Sequence, residues 1–126
     1  MLREAKLDIE RHCADGIDHE TFSRAFRQSS LIKNKDMTWV AFNGRFDYGY
    51  LSYLVDLQPL PFYDNQFIRR CSGYFHTFFD VKLLRDDNTH SLKSQLEYEK
   101  LPLPQNAHQA GSDSICTLRL FFRSLE

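Results

Sequence analysis

Apolar and polar positions follow one another in short blocks whose spacing predicts helices alternating with strands. Residues 2 to about 14 read as a weakly amphipathic opening helix. Asp15-Gly16-Ile17-Asp18 reads as a turn, with Asp18 as N-cap of a second helix that carries Phe22 and Phe26 one turn apart. Met37 to Phe42, rich in β-branched and aromatic residues, predicts a strand that Asn43-Gly44 ends. From Asp47 to Leu57 the apolar residues Tyr50, Leu51, Leu54 and Leu57 have helical spacing, and Pro59 and Pro61 stop that helix. Phe67, Cys71 and Tyr74 recur at i, i+4, i+7. Phe78 to Val81 predicts a short strand, and Leu92 with Leu96 a further helix. Pro102 and Pro104 punctuate the approach to His108. From Ser112 onward, Ile115, Leu118, Phe122 and Leu125 fall on one face and predict a closing amphipathic helix. Strands alternating with helices point to an α/β layer fold.

Length and composition narrow the picture. With 126 residues, no repeat and no low-complexity run, the chain is expected to form one domain over 1–126. A compact chain of this size buries about 68% of its unfolded surface. Eleven Phe, six Tyr and one Trp supply much of the core. The net charge of −1 excludes the basic excess by which DNA- or RNA-binding domains neutralise phosphates, though not RNA held through bound metal ions. No run of 18 apolar residues and no signal peptide occur, so no membrane contact is expected. The three cysteines, Cys13, Cys71 and Cys116, form no Cys-x-x-Cys pair, which suits a reducing intracellular compartment.

Two places could carry chemistry. In Asn43-Gly44-Arg45-Phe46-Asp47-Tyr48-Gly49 an acid follows a strand where the chain turns into a helix, the position at which open α/β sheets gather ligands. Asp47 there either presents a carboxylate to a metal or caps the helix, and position alone favours the cap. In His108-Gln109-Ala110-Gly111-Ser112-Asp113-Ser114, Asp113 is a hard oxygen ligand suited to Mg²⁺ or Mn²⁺, and His108 an imidazole able to take a proton from water. The competing reading again is capping, by Ser112 or Asp113, with His108 a loop residue; spacing alone favours it.

The segments Trp39 to Leu51 and His108 to Ser114 resemble the two later exonuclease motifs of the Ccr-associated factor family, the poly(A)-removing ribonuclease subunits of the Ccr–Not complex. Phe75 to Leu83 resembles the family's intervening strand, and Gly16-Ile17-Asp18 its earlier helix entry; the likeness runs from about Leu2 to Ser114. The resemblance implies a DEDD-type nuclease on a ribonuclease H-like mixed sheet flanked by helices. Four acids would hold two divalent metals, Mg²⁺ or Mn²⁺, and a histidine would help activate water for 3′-to-5′ removal of mRNA poly(A) tails. It carries over Asp47 and Asp113 as metal-holding acids and His108 as the base. Poly(A) RNA and the scaffold and nuclease subunits of the Ccr–Not complex are the implied partners, without DNA, and the nucleus and cytoplasm the implied location.

The chain departs from the family pattern. Asp8-Ile9-Glu10 has the letters of the family's first Asp-x-Glu motif but lies in a helical segment, so the strands that bear the motif are expected to be missing. Between Asn88 and Ala107 the family's Gly-Gly-Leu helix start is replaced by Ser91-Leu92-Lys93. Activity is therefore expected to be incomplete or weak. The runner-up is a non-catalytic fragment that binds the Ccr–Not scaffold. A small RNA-binding module and an unstable fragment with an open sheet edge are further alternatives. Arg69-Arg70 reads as a solvated face, His12, His19, His76 and His90 as surface or structural histidines, and Cys116 as a buried small hydrophobe. Tyr48, Tyr50 and Tyr53 are candidates for stacking on bases, with at least two expected to pack against the sheet instead.

Overall fold

A computed structural model describes residues 8–84, 91–103 and 109–126. The elements in chain order are α1 (Ile9–Asp15), α2 (His19–Gln28), β1 (Thr38–Ala41), α3 (Arg45–Asp56), α4 (Asp64–Tyr74), β2 (Thr77–Asp80), a 3₁₀ turn (Val81–Leu84), α5 (Leu92–Tyr98) and α6 (Ala110–Ser124). The described strands β1 and β2 pair as a two-stranded sheet. The intervening helices α3 and α4 make the crossover that a parallel pair requires. The chain groups into two compact units, one of residues 16–39 and 44–79, the other of residues 1–15, 40–43 and 80–126.

In the first unit α2 begins where its sequence says it should: Oδ1 of Asp18 accepts from the Thr21 N–H at 2.9 Å. Hydrogen bonding from the Thr21 side chain, and then from its N–H, holds the Asp18 carboxyl below the usual carboxylate range. Phe26 is buried, whereas Phe22 stays near the surface against it at a ring-centroid distance of 5.5 Å. α2 packs on α3, and α3 on α4. The aromatic centre is Phe75, fully buried, with Trp39 at 5.0 Å and Tyr48 at 5.7 Å between centroids. Tyr48 spends its polar end on the backbone, donating to the Phe79 carbonyl at 2.9 Å. Ser52 is buried too and donates to the Tyr48 carbonyl at 2.6 Å. With its proton so used, its oxygen is left to accept from the Cys71 thiol at 3.4 Å. Burial pushes that thiol's pKa up, so Cys71 is a packed hydrophobe rather than a nucleophile.

Arg70 departs from expectation. Arg69 is exposed, but Arg70 folds inward: it bonds Asp56 at 2.5 Å and the carbonyls of Pro59, Gln58 and Ser52 at 2.7, 3.0 and 3.3 Å. The second oxygen of Asp56 accepts from the Tyr74 hydroxyl at 2.7 Å. The helix-stopping segment after α3 is thus tied down by its main chain. Leu57, in the left-handed region with φ 56° and ψ 25°, makes the turn into it.

In the second unit α6 packs on α5 and on the 3₁₀ turn around Val81, Leu96, Cys116 and Leu120. The expected burial of Cys116 holds; the expected inner face of α6 does not. Ile115, Leu118, Phe122 and Leu125 are all exposed, and Cys116, Thr117, Leu120 and Phe121 are the residues that turn inward. Thr117 can join them because its hydroxyl donates to the Asp113 carbonyl at 2.8 Å. Ser91 caps α5 through its Oγ, which accepts from the Ser94 N–H at 3.2 Å.

Gln95 on α5 is buried with neither amide atom hydrogen-bonded. A buried polar group left unpaired costs free energy that an apolar side chain of like shape avoids. Gln95→Met should therefore raise the unfolding free energy by about 1–2 kcal/mol, read as a higher urea midpoint at unchanged slope. A lower midpoint would mean that the amide does pair in solution.

Candidate functional site

Asp47 lies in the first unit. The helix that carries it starts two residues earlier than its apolar spacing suggested. Its N-cap is Gly44, whose carbonyl accepts from the Tyr48 N–H at 2.8 Å. Asp47 is therefore not the cap; it stands in the first turn with its side chain exposed. The turn that delivers it begins at Asn43, in the left-handed region at φ 58°, which asparagine tolerates better than most residues. The neighbouring Arg45 reaches α4, its guanidinium 2.9 Å from Asp64 Oδ1. Gly49 lets the following segment pass close over α3: a Cβ there would come within 3.3 Å of Leu60 Cδ1.

Asp113 lies in the second unit. The N-cap of α6 is Gln109, its carbonyl accepting from the Asp113 N–H at 2.9 Å, so neither Ser112 nor Asp113 caps the helix. Asp113 is half-buried in the first turn. Within the same unit, Oδ1 of Asp80 accepts from the N–H groups of Asn43 at 2.8 Å and Lys82 at 3.1 Å, which fixes the end of β2 beside the end of β1. His108 falls outside the described residues, as does His90.

Asp8 caps α1 instead of serving as a strand-borne acid: its Oδ1 accepts from the Arg11 N–H at 3.0 Å, and Ile9 and Glu10 are helical. Of the tyrosines, Tyr48 is buried and Tyr53 half-buried, while Tyr50 is exposed and bonds His19 Nε2 through its hydroxyl at 3.0 Å. That contact accounts for His19 as a structural histidine.

No protein-family model matches the chain. A Caenorhabditis elegans protein, CCR4-NOT transcription complex subunit 7, is 35% identical over 98% of this chain and 42% of its own length. Poly(A) ribonuclease pop2 of Schizosaccharomyces pombe is 27% identical over 97% of this chain and 37% of its own. A probable CCR4-associated factor 1 homolog of Arabidopsis thaliana is 31% identical over 96% of this chain and 45% of its own. The chain is a homologue of the CCR4-associated factor 1 proteins. It spans less than half the length of these curated relatives.

The fold agrees. The solved structure of S. pombe Pop2p, in its Mg²⁺- and Mn²⁺-bound form, superposes with a TM-score of 0.89 at 27% identity, over 97% of this chain and 50% of that one. The ribonuclease H-like reading of the sequence is thereby borne out for the elements described. The two-metal reading meets a different test. Among the described residues no three His, Cys, Asp or Glu side chains gather as a metal ion would need. Those residues by themselves do not fit the two-metal group that the resemblance implies.

Proposed function

We propose that this protein acts in the 3′-to-5′ shortening of poly(A) tails, as a nuclease-type component of a Ccr–Not assembly in nucleus and cytoplasm. The observation that carries the reading is the likeness, over nearly the whole chain, to a protein named a poly(A) ribonuclease, together with acids in the first turns of both α3 and α6. In this reading Asp47 and Asp113 are metal-holding carboxylates for Mg²⁺ or Mn²⁺, and His108 is the group that takes a proton from water. Neither acid is consumed by an ion pair among the described residues. With no described group of three ligands, turnover by the chain alone is slow.

The test is a 5′-labelled RNA with an oligo(A) 3′ end, incubated with the purified chain and Mg²⁺ or Mn²⁺. A slow ladder from the 3′ end, lost in Asp113→Asn, is the expected result. No ladder from a chain shown to be folded would overturn the catalytic reading. It would leave a non-catalytic role beside the scaffold of the assembly, which the likeness to a protein named a CCR4-NOT subunit favours.

A further inference from the structure

Around the end of α2, residues 24–35 hold four cations, Arg24, Arg27, Lys33 and Lys35, and no acid, in a chain of net charge −1. All four are exposed, and none forms an ion pair with a described residue. Among them stands Ser30, exposed in the turn that leaves the helix. Its carbonyl accepts from the Asn34 side-chain amide at 3.0 Å, while its hydroxyl bonds no described residue. Ser29 contrasts with it: that hydroxyl donates to the Phe26 carbonyl at 2.7 Å. The backbone at Ser29 is already extended, at φ −71° and ψ 156°.

Basophilic serine kinases read charge, selecting an arginine three residues before the acceptor, and take the substrate backbone in an extended form. Two serines in the sequence have that spacing, Ser30 after Arg27 and Ser72 after Arg69. The letters favour Ser72, where Arg70 adds a second cation; the structure reverses the order. Ser72 lies inside α4, its hydroxyl donating to the Ile68 carbonyl at 2.9 Å, and Arg70 is turned onto Asp56. Straightening that turn would uncover Cys71 and Phe75, both fully buried. Residues 27–31 include no buried side chain, so opening there costs a few hydrogen bonds and no apolar core.

We propose that Ser30 is a phosphorylation site for a serine kinase that reads Arg27. The Ser30 Oγ attacks the γ-phosphorus of ATP. As the Oγ–P bond forms, the bond to the bridging oxygen breaks, ADP leaves, and the hydroxyl proton passes to the kinase. The phosphate brings about −2 charge at neutral pH into a patch of cations that have no other described partner. Charge-assisted hydrogen bonds there offset repulsion from the carbonyl end of α2. The patch falls to about two positive charges, which weakens its attraction for an acidic partner. This inference is independent of the poly(A) reading.

The full chain incubated with ATP, Mg²⁺ and a calmodulin-dependent serine kinase tests it, with the phosphate located by mass spectrometry. One phosphate at Ser30 is expected. Arg27→Gln should slow incorporation roughly tenfold, the loss of about one charge-assisted contact. Ser30→Ala should take none, and Ser30→Thr should give phosphothreonine. Both altered side chains are exposed, so folding should survive, which far-UV circular dichroism checks. Peptides of residues 24–34 and 66–76, freed of the fold, should both be phosphorylated. Phosphate on Ser72 of the chain as fast as on Ser30 overturns the proposal. So does a chain that stays unmodified while the first peptide reacts, a first peptide that takes no phosphate, or an Arg27→Gln chain modified at the unaltered rate.

Discussion

Replacing Phe75 with alanine should lower the unfolding free energy by about 4 kcal/mol, the largest loss expected from any single truncation in this chain. The side chain is wholly buried, and its ring touches those of Trp39, Tyr48 and Tyr74, the last at a centroid distance of 6.3 Å. Large rings on three sides cannot close over the space, so the cavity cost adds to the lost transfer energy. Phe75 also ends α4, where its N–H donates to the Cys71 carbonyl at 2.7 Å, so the void opens where the helix hands over to β2. The single tryptophan, Trp39, lies 5.0 Å from Phe75 and reports on it directly. Urea unfolding followed by its emission should show the midpoint fall at unchanged slope. A loss below about 1 kcal/mol would show that this aromatic cluster is not packed in solution as described.

Arg70→Met should cost about 3 kcal/mol. Arg70 and Asp56 are 13% and 27% exposed, so their pair is shielded from much of the solvent that weakens surface ion pairs. Removing the cation leaves the Asp56 carboxylate partly buried with two neutral donors, the Tyr74 hydroxyl and the Gln58 N–H, and frees three carbonyls that the guanidinium had satisfied. Methionine keeps the stem's bulk, so the loss reports on the hydrogen bonds rather than on packing. Burial and the bond to Asp56 both push the Tyr74 hydroxyl pKa up, as expected of a donor facing an anion. A double change with Asp56→Asn should cost less than the sum of the single changes, because the stranded charge is gone. Additive losses would mean that the two groups do not interact.

Much of the first unit was legible in the sequence because its signals are local. The Asp18 cap, the β-rich run at β1 and the Phe67, Cys71 and Tyr74 spacing on α4 each depend on neighbours a turn away. α6 was misread for a physical reason. Ile115, Cys116, Leu118, Leu120, Phe121 and Phe122 make it apolar on two faces, and periodicity alone does not say which face the rest of the unit covers. The face actually buried includes a threonine, and only the bond from Thr117 to the Asp113 carbonyl makes that acceptable. Arg70 was misread because three of its partners are main-chain oxygens, which carry no letter in the sequence. As for the site, Asp47 and Asp113 stood out through family likeness, not spacing.

The grip of Arg70 bears on how this region can change over evolutionary time. A guanidinium that holds carbonyl oxygens asks nothing of the side chains attached to them. Positions 58 and 59 are thus free to drift so long as the main chain keeps its path, and the selective burden passes to Arg70 and Asp56. Leu60 is held more loosely: a Cβ at position 49 would stand 3.3 Å from its Cδ1, so a side chain there asks this exposed leucine only to give way by a few tenths of an ångström.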